Sequence, residues 1–302
     1  MRNNDQLIEK VTCFGEILWD VLPTAAKPGG APMNVAYHLH RLGVEAHVIS
    51  RIGDDDRGEA LKNILQNWGL STASLQVDSK HATSEVIALM DESNEMTYEI
   101  LEPVAWDFIE WNNTFNDTLT SSDALVYGSL ASRNSITYNT LLSLLENDVY
   151  KVMDVNLRPP HYREATIKTL VQHADLLKLN EAELDILSGW SHSGLYGEEE
   201  KMRSVQEYYN VTEIILTKGS RGASYYNRGM VYNSKTFRVE VADTVGSGDA
   251  FLAAFLSKKN VLPIQEQLNF ASALGAFVAS QQGACPPYSV HQLNEFINGY
   301  DR

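Results

Sequence analysis

The chain alternates short apolar runs with longer stretches in which apolar positions recur every three or four residues. Residues 11–17 (VTCFGEI) and 45–53 (EAHVISRIG) read as strands. Between them, PMNVAYHLHRLG places Val35, Leu39 and Leu42 on one helical face. Pro32 suits the first turn of that helix and Gly43 its end. Residues 57–69 repeat the plan, with Leu61, Ile64, Leu65 and Trp68 as the stripe and Gly69 as the stop. The runs at 123–129, 150–156, 174–180 and 213–219 predict four more strands, with helical stretches such as SITYNTLLSLLEN and EAELDILSG between strands. Short buried strands alternating with helices predict an α/β fold of three layers, α/β/α, around a mostly parallel central sheet.

Two segments break this rhythm. Residues 84–101 (SEVIALMDESNEMTYEIL) read as two strands joined by a polar turn, expected as a small β lid outside the main sheet. An edge extension of that sheet is the alternative. Residues 222–234 read as a hairpin around Asn227 to Gly229. With no internal repeat, linker or low-complexity stretch, residues 1–302 are expected to form one domain plus the lid.

Composition narrows the partners. A formal net charge of −15 argues against nucleic acid and anionic membrane. An anionic ligand would have to be held locally, by amides, a few basic residues and a metal. Cys13 and Cys285 lack any CxxC spacing and are expected to be reduced thiols. The start MRNNDQLIEK has no apolar leader, and NFASALGAFVAS is too short and polar to span a bilayer. The expectation is a soluble, cytoplasmic protein.

Several predicted strands end in polar residues: Glu16 and Asp20, Asn156 and Arg158, Asn180 and Glu183, Lys218. Ligands of parallel sheets sit at those carboxyl ends. In DTVGSGDAFLAAFL (243–256), glycines allow close backbone approach, and an apolar helix follows from Ala250. First-turn amides of such a helix bind anions, phosphate above all. Asp249 would repel a phosphate, but it suits a base facing a neutral hydroxyl beside one. Favouring a helix N-terminus would explain Asp249 equally well in isolation. In KPGGAPMNVAYHL, Gly29 and Gly30 permit close approach and Asn34 can both donate to and accept from a hydroxyl. Asp20 can accept from two hydroxyls. Asn180 and Glu183 share one side of a helix start, which fits capping as well as an outer-sphere Mg²⁺. Arg158 suits a phosphate, and Lys218, Gly219 and Gly222 form a tight turn able to pass under a nucleotide. There is no GxxxxGK[ST], GxGxxG, HExxH or GxSxG, and the histidines show no metal-ligand spacing.

Together, GGAPMNVAYHLHRLG and DTVGSGDAF resemble the two signatures of the ribokinase-like (PfkB) sugar kinases. LNEAE resembles that family's NxxE motif and DVNLR its D-x-N-x-R strand end. Order, spacing and length fit across nearly the whole chain. The resemblance implies ATP-dependent phosphorylation of a sugar hydroxyl, with Asp249 as base and the amides of Gly246, Ser247 and Gly248 as anion hole. It implies Asp20, Gly29, Gly30 and Asn34 on the sugar, with Tyr98 from the lid and Arg158 near sugar or phosphate. Asn180, Glu183, Thr217, Lys218, Gly219, Gly222 and Gly248 fall on the nucleotide side. Glu183 would serve Mg²⁺ through water, and Asp243 with the segment around Gly283 would offer oxygens to K⁺. Ser247, where the family commonly has alanine, and QQGACPP depart from the pattern. FGEILWD followed by GGAPMNVA is most similar to fructokinases, which implies D-fructose as acceptor; 2-keto-3-deoxygluconate kinases and ribokinases would carry the same acid, glycines and asparagine. A homodimer through the lid is the expected assembly. A non-catalytic sugar or nucleotide sensor is the rival class, and a nicotinamide oxidoreductase is disfavoured by the missing GxGxxG.

Overall fold

The computed structural model describes residues 7–22, 25–90, 96–192 and 194–300. The first strand, β1 (Lys10–Phe14), is buried beyond its first residue, and successive side chains serve opposite faces. It stops at Phe14, three residues short of the expected strand end, because the chain turns at Gly15 with φ +142°. The antiparallel pair β2 (Leu18–Leu22) and β3 (Ala25–Gly29) follows, then α1 (Ala31–Arg41) with Pro32 in its first turn. Next come β4 (Glu45–Gly53), α2 (Asp56–Asn67), β5 (Leu75–Asp78), β6 (Ser84–Met90) and β7 (Met96–Ile100). The chain continues through α3 (Asn113–Thr120), β8 (Ala124–Gly128), α4 (Ser135–Leu145), β9 (Tyr150–Asp154), α5 (Glu164–Gln172), β10 (Leu176–Asn180) and α6 (Glu181–Ser191). It ends with α7 (Glu198–Tyr209), β11 (Glu213–Thr217), β12 (Ala223–Asn227), β13 (Met230–Asn233), α8 (Ser247–Ser257), α9 (Ile264–Ala279) and α10 (Val290–Tyr300).

Nine strands form the central sheet in the order β13-β12-β11-β10-β9-β8-β1-β4-β5. The seven from β11 to β5 run parallel, and β12 and β13 add an antiparallel edge. One face packs on residues such as Leu39, Leu61, Phe255 and Leu274, the other on Trp106, Leu141, Leu187 and Tyr209. Both faces of the central strands are therefore dry, which is why these read as near-continuous apolar runs, while the edge strands β5 and β13 stay partly exposed. The expected hairpin at 222–234 is present, turned by Arg228 and Gly229, both at positive φ as a type I′ turn requires.

The other hairpin, β6 with β7, does not extend the main sheet. It joins β2 and β3 in a separate four-stranded sheet, β3-β2-β6-β7. Its expected polar turn, residues 91–95, lies outside the described residues. The decisive topological feature is β1. After β5 the chain passes to the other side of β1 to form β8, so the connections leaving β1 and β8 diverge. That divergence opens a crevice at the carboxyl ends of the strands.

Candidate active site

Helix α8 begins at Ser247 with Gly246 as its cap, so Asp249 sits in the first helical turn rather than ahead of the helix. Gly246 adopts φ +77°, and a Cβ there would lie 2.5–2.6 Å from Ala284, so only glycine fits. Asp243 shapes the approach: its Oδ1 accepts the Val245 N–H at 3.1 Å and its Oδ2 the Gly283 N–H at 3.0 Å. The first-turn amides have no intrahelical partner by construction. The Ser247 amide makes a long bond of 3.3 Å to the Thr244 carbonyl. Ser247 and Gly248 line a cleft of about 470 Å³ with Thr217, Gly219 and Gly222 on one wall and Phe237, Val241, Gly275 and Ala276 on another. Thr217, Gly219 and Gly222, expected on the nucleotide side, are thus brought together with Ser247 and Gly248, expected in the anion hole.

On the other side of Asp249 stands α1. Asn34 is buried in its first turn and donates from Nδ2 to Asp249 Oδ2 at 2.8 Å. Its Oδ1 accepts from the Cys285 thiol at 3.4 Å. The amide keeps one N–H and one lone pair for a ligand. Asp20, in β2 opposite Lys27 of β3, lies against Gly29, where a Cβ would come within 2.3 Å of its Oδ2. Gly30, at φ +111°, would place a Cβ 2.5 Å from the Glu16 carbonyl. Gly30 is therefore demanded by its φ and by a fixed carbonyl, whereas a side chain at Gly29 would displace the Asp20 carboxylate. Tyr98 lies in β7 opposite Ala88; its side chain is outside the described residues.

The charges around this crevice are mutually strained. Burial pushes the Asp249 carboxyl up to about 6, helped by nearby Asp154; Lys178, the Asn34 hydrogen bond and Arg158 act in the opposite sense. Burial raises Asp20 to about 6, with Asp243 adding to the rise and Arg158 and Lys27 opposing it. Glu16 is 3 % exposed and is raised to about 7, chiefly by burial. Its Oε1 accepts the Ala31 N–H at 3.2 Å, while Oε2 is buried without a partner. Arg158 is exposed, and its charge is felt by Asp249, Asp20 and Glu16 alike.

Other expected residues are engaged differently. Lys218 binds Glu198 at 3.0 Å and the Ser224 hydroxyl at 2.8 Å, so its ammonium is not free for phosphate. Asn180 and Glu183 form a capping box on α6. Glu183 Oε2 accepts the Asn180 N–H at 2.9 Å and Oε1 the Leu157 N–H at 2.8 Å. Both oxygens are committed to backbone, so a direct metal bond from Glu183 does not fit; an outer-sphere role remains open to its second lone pairs. Asp243 already has the Lys27 ammonium at 3.3 Å besides its two amides. The Lys27 ammonium thus shares the Oδ2 of the carboxylate that the sequence offered to K⁺.

A model of the "pfkB family carbohydrate kinase" matches residues 7–290, nearly the whole chain. The chain belongs to this family. It is a carbohydrate kinase, a phosphotransferase. Among curated relatives it is similar to fructokinase-1 of Oryza sativa subsp. japonica, 29% identical with 92% of this chain and 94% of that protein covered. It is also similar to fructokinase-2 of Solanum lycopersicum, 26% identical over 91% and 92%. Among solved structures it is similar to the fructokinase of Xylella fastidiosa with bound ATP, at TM-score 0.86, 21% identity and coverage of 98% and 100%. The fructokinase of Vibrio cholerae O395, in a fructose-, ADP- and calcium-bound form, gives TM-score 0.83, 25% identity and coverage of 96% and 99%. The ribokinase-like architecture expected from the sequence is confirmed by these neighbours.

The sequence reading of this pfkB kinase missed one charged pair. Lys178 of β10 donates to Asp154 of β9 at 2.7 Å, with both side chains under one-tenth exposed. Asp154 opens the DVNLR motif and Lys178 lies in the 174–180 strand, immediately before LNEAE. An ionisable residue inside an otherwise apolar parallel strand was the available signal, because burying a charge without a partner is costly. Among the described residues, no helix is long and apolar enough to cross a membrane.

Proposed function

We propose that the protein phosphorylates D-fructose at its 6-hydroxyl, using ATP and releasing fructose 6-phosphate and ADP. The observation that carries this reading is the Asn34–Asp249 hydrogen bond at the N-terminus of α8. It joins the glycine-rich sugar segment to a carboxylate placed beside helix amides. The preference for fructose is supported by the names of the curated relatives and by the fructose- and ADP-bound Vibrio cholerae structure.

In this reading Asp20 and Asn34 orient the sugar, and Gly29 and Gly30 let the backbone close on it. Asp249 accepts the proton of the 6-hydroxyl as the sugar oxygen bonds to the γ-phosphorus. The bond from that phosphorus to the bridging oxygen breaks, and its electron pair leaves with ADP. The amides of Gly246, Ser247 and Gly248 receive the charge on the transferred group. Thr217, Gly219 and Gly222 flank the nucleotide, while Lys218 contributes its backbone turn. Mg²⁺ on the nucleotide would neutralise charge at the phosphates, and Glu183 is the residue that would hold it through water. Arg158 supplies positive charge at the rim. The free thiols Cys13 and Cys285 fit a reducing, cytoplasmic setting. The lid sheet is the proposed homodimer contact, and a monomer mass in equilibrium sedimentation would reject it.

The test is an ADP-release assay with Mg-ATP on fructose, ribose, 2-keto-3-deoxygluconate, glucose and adenosine. Turnover on fructose alone is expected. Turnover on another sugar would keep the chemistry and overturn the acceptor; sugar binding without turnover would favour a sensor.

A further inference from the structure

Gly246 needs to be glycine because of its positive φ and its contact with Ala284, but neither reason applies to Gly248. Its backbone is outside the left-handed region, and it sits inside α8, where glycine is a poor helix former. What a side chain at Gly248 would meet is Lys178: a Cβ would stand 3.3 Å from Nζ and 3.7 Å from Cε. The ammonium cannot easily yield, since Asp154 Oδ2 fixes it at 2.7 Å inside the sheet. The missing side chain thus lets a buried cation press directly against the backbone of the anion hole.

We propose that Lys178 is a positioning residue of the transfer step: anchored by Asp154, its ammonium is a fixed positive charge beneath the Gly248 amide that receives the phosphoryl group. This rests on the kinase reading above. A buried carboxylate–ammonium pair is weak evidence for stability, because desolvation offsets the attraction. A place beneath the one helix end that must accept negative charge gives the pair a different reason to exist. Preorganised charge there stabilises the transition state without reorganisation. Burial alone would push Lys178 down, but Asp154 and Asp249 hold it above its usual value, so it stays charged at neutral pH.

The same pair acts on the base. Asp249 is faced by Asp154 from β9, Lys178 from β10, Arg158 beyond β9, Asn34 from α1, Glu16 and Cys13 from β1 and its exit, and Cys285 beyond α9. Removing Lys178 must raise the Asp249 carboxyl and neutralising Asp154 must lower it, with the remaining neighbours unchanged.

The experiment compares wild type, K178M, D154N, K178M/D154N, G248A and G248A/K178M. Two readouts are taken: the pH profile of kcat, and the ratio of calorimetric affinities for the non-hydrolysable triphosphate AMP-PNP and for ADP. The double K178M/D154N keeps the interior charge-balanced if K178M alone fails to fold. Expected for K178M are a kcat loss of about 10- to 100-fold, less than for a direct anion-hole donor, an acidic limb moved to higher pH and a lower preference for AMP-PNP. D154N moves the limb the other way. G248A costs less in the K178M background than in wild type, the coupling a contact requires. An unmoved limb with an unchanged AMP-PNP to ADP ratio in the folded variants overturns the proposal, whatever kcat does. If the wild type turns over no sugar, the kinase reading fails, and the affinity ratio alone still decides the role of Lys178.

Discussion

Asn34 and Asp249 lie 215 positions apart in sequence and meet at 2.8 Å, the Asn34 amide donating to the carboxylate. That bond stabilises the ionised form of Asp249 and so holds its raised carboxyl down. Asn34→Ala is expected to move the acidic limb of the kcat profile to higher pH and to raise KM for the sugar. A change in kcat with the limb in place would show that Asn34 acts on the sugar alone.

Asp249→Asn removes the base while keeping the shape. Turnover is expected to fall by about 10²- to 10⁴-fold, the range for general-base contributions, with calorimetric fructose affinity retained. In the wild type, kcat falls as pH drops through about 6, where the base becomes protonated. Its folded value lies above the ordinary 3.8, so the native state holds its proton longer than the unfolded chain and stability declines as pH rises between the two values. The Asn variant is therefore expected to melt higher than wild type at pH 8 and to show no such gain at pH 3.5.

Glu16 gives the same sign in a group that has no role in proton transfer. Its carboxyl is raised from 4.5 to about 7, and Oε2 is buried and unpaired. Ionising it at pH 8 costs stability, and Glu16→Gln keeps the acceptor for the Ala31 N–H. The expected outcome is a melting temperature higher by about 1–2 °C at pH 8, equivalent to roughly 1 kcal/mol in a chain of this size. The difference should vanish near pH 4.5. An equal gain at both pH values would mean that the ionised carboxylate carries no penalty.

Lys27 of β3 reaches from the lid sheet to Asp243 at 3.3 Å and to Gln282 Oε1 at 3.4 Å. This ammonium already supplies positive charge behind the loop that leads into α8. Wild-type turnover is expected to be indifferent to replacing K⁺ with tetramethylammonium. Strong stimulation by K⁺ would show that a cation reaches this loop despite Lys27. Lys27→Met is expected to raise KM for the sugar, since it unties the lid strand from the nucleotide side.

The glycine at 246 offers the sharpest structural test. Gly246→Ala forces a side chain into Ala284 and into a φ of +77°. Activity is expected to collapse along with ATP affinity, while far-UV circular dichroism stays near that of wild type. Retained ATP affinity would remove this loop from the nucleotide site.

Much of the fold was legible because six of the seven parallel strands, all but the edge strand β5, are largely buried. Continuous apolar runs such as EIILT and ALVYG can be nothing else in a chain patterned this way. The lid's other half was harder to read: AAKPG of β3 is half-exposed and carries a proline, so it lacks alternation. Gly29, Gly30, Gly246 and Asp249 stood out in sequence because glycine pairs next to a helix start have few other uses. Residues whose roles depend on what faces them stayed hidden. Lys218 read only as part of a tight turn, and nothing in the chain order showed that Glu198 and Ser224 hold its ammonium. Asp243 read as a cation ligand, and only the fold shows that Lys27 comes to it from another sheet. Sequence by itself determined the periodicities, the backbone freedoms and the chemical types at the strand ends. Only the tertiary structure decided which charges meet, because Lys178, Asp154 and Asp249 come from three elements and electrostatic energy depends on their separation and burial, neither of which the chain order encodes.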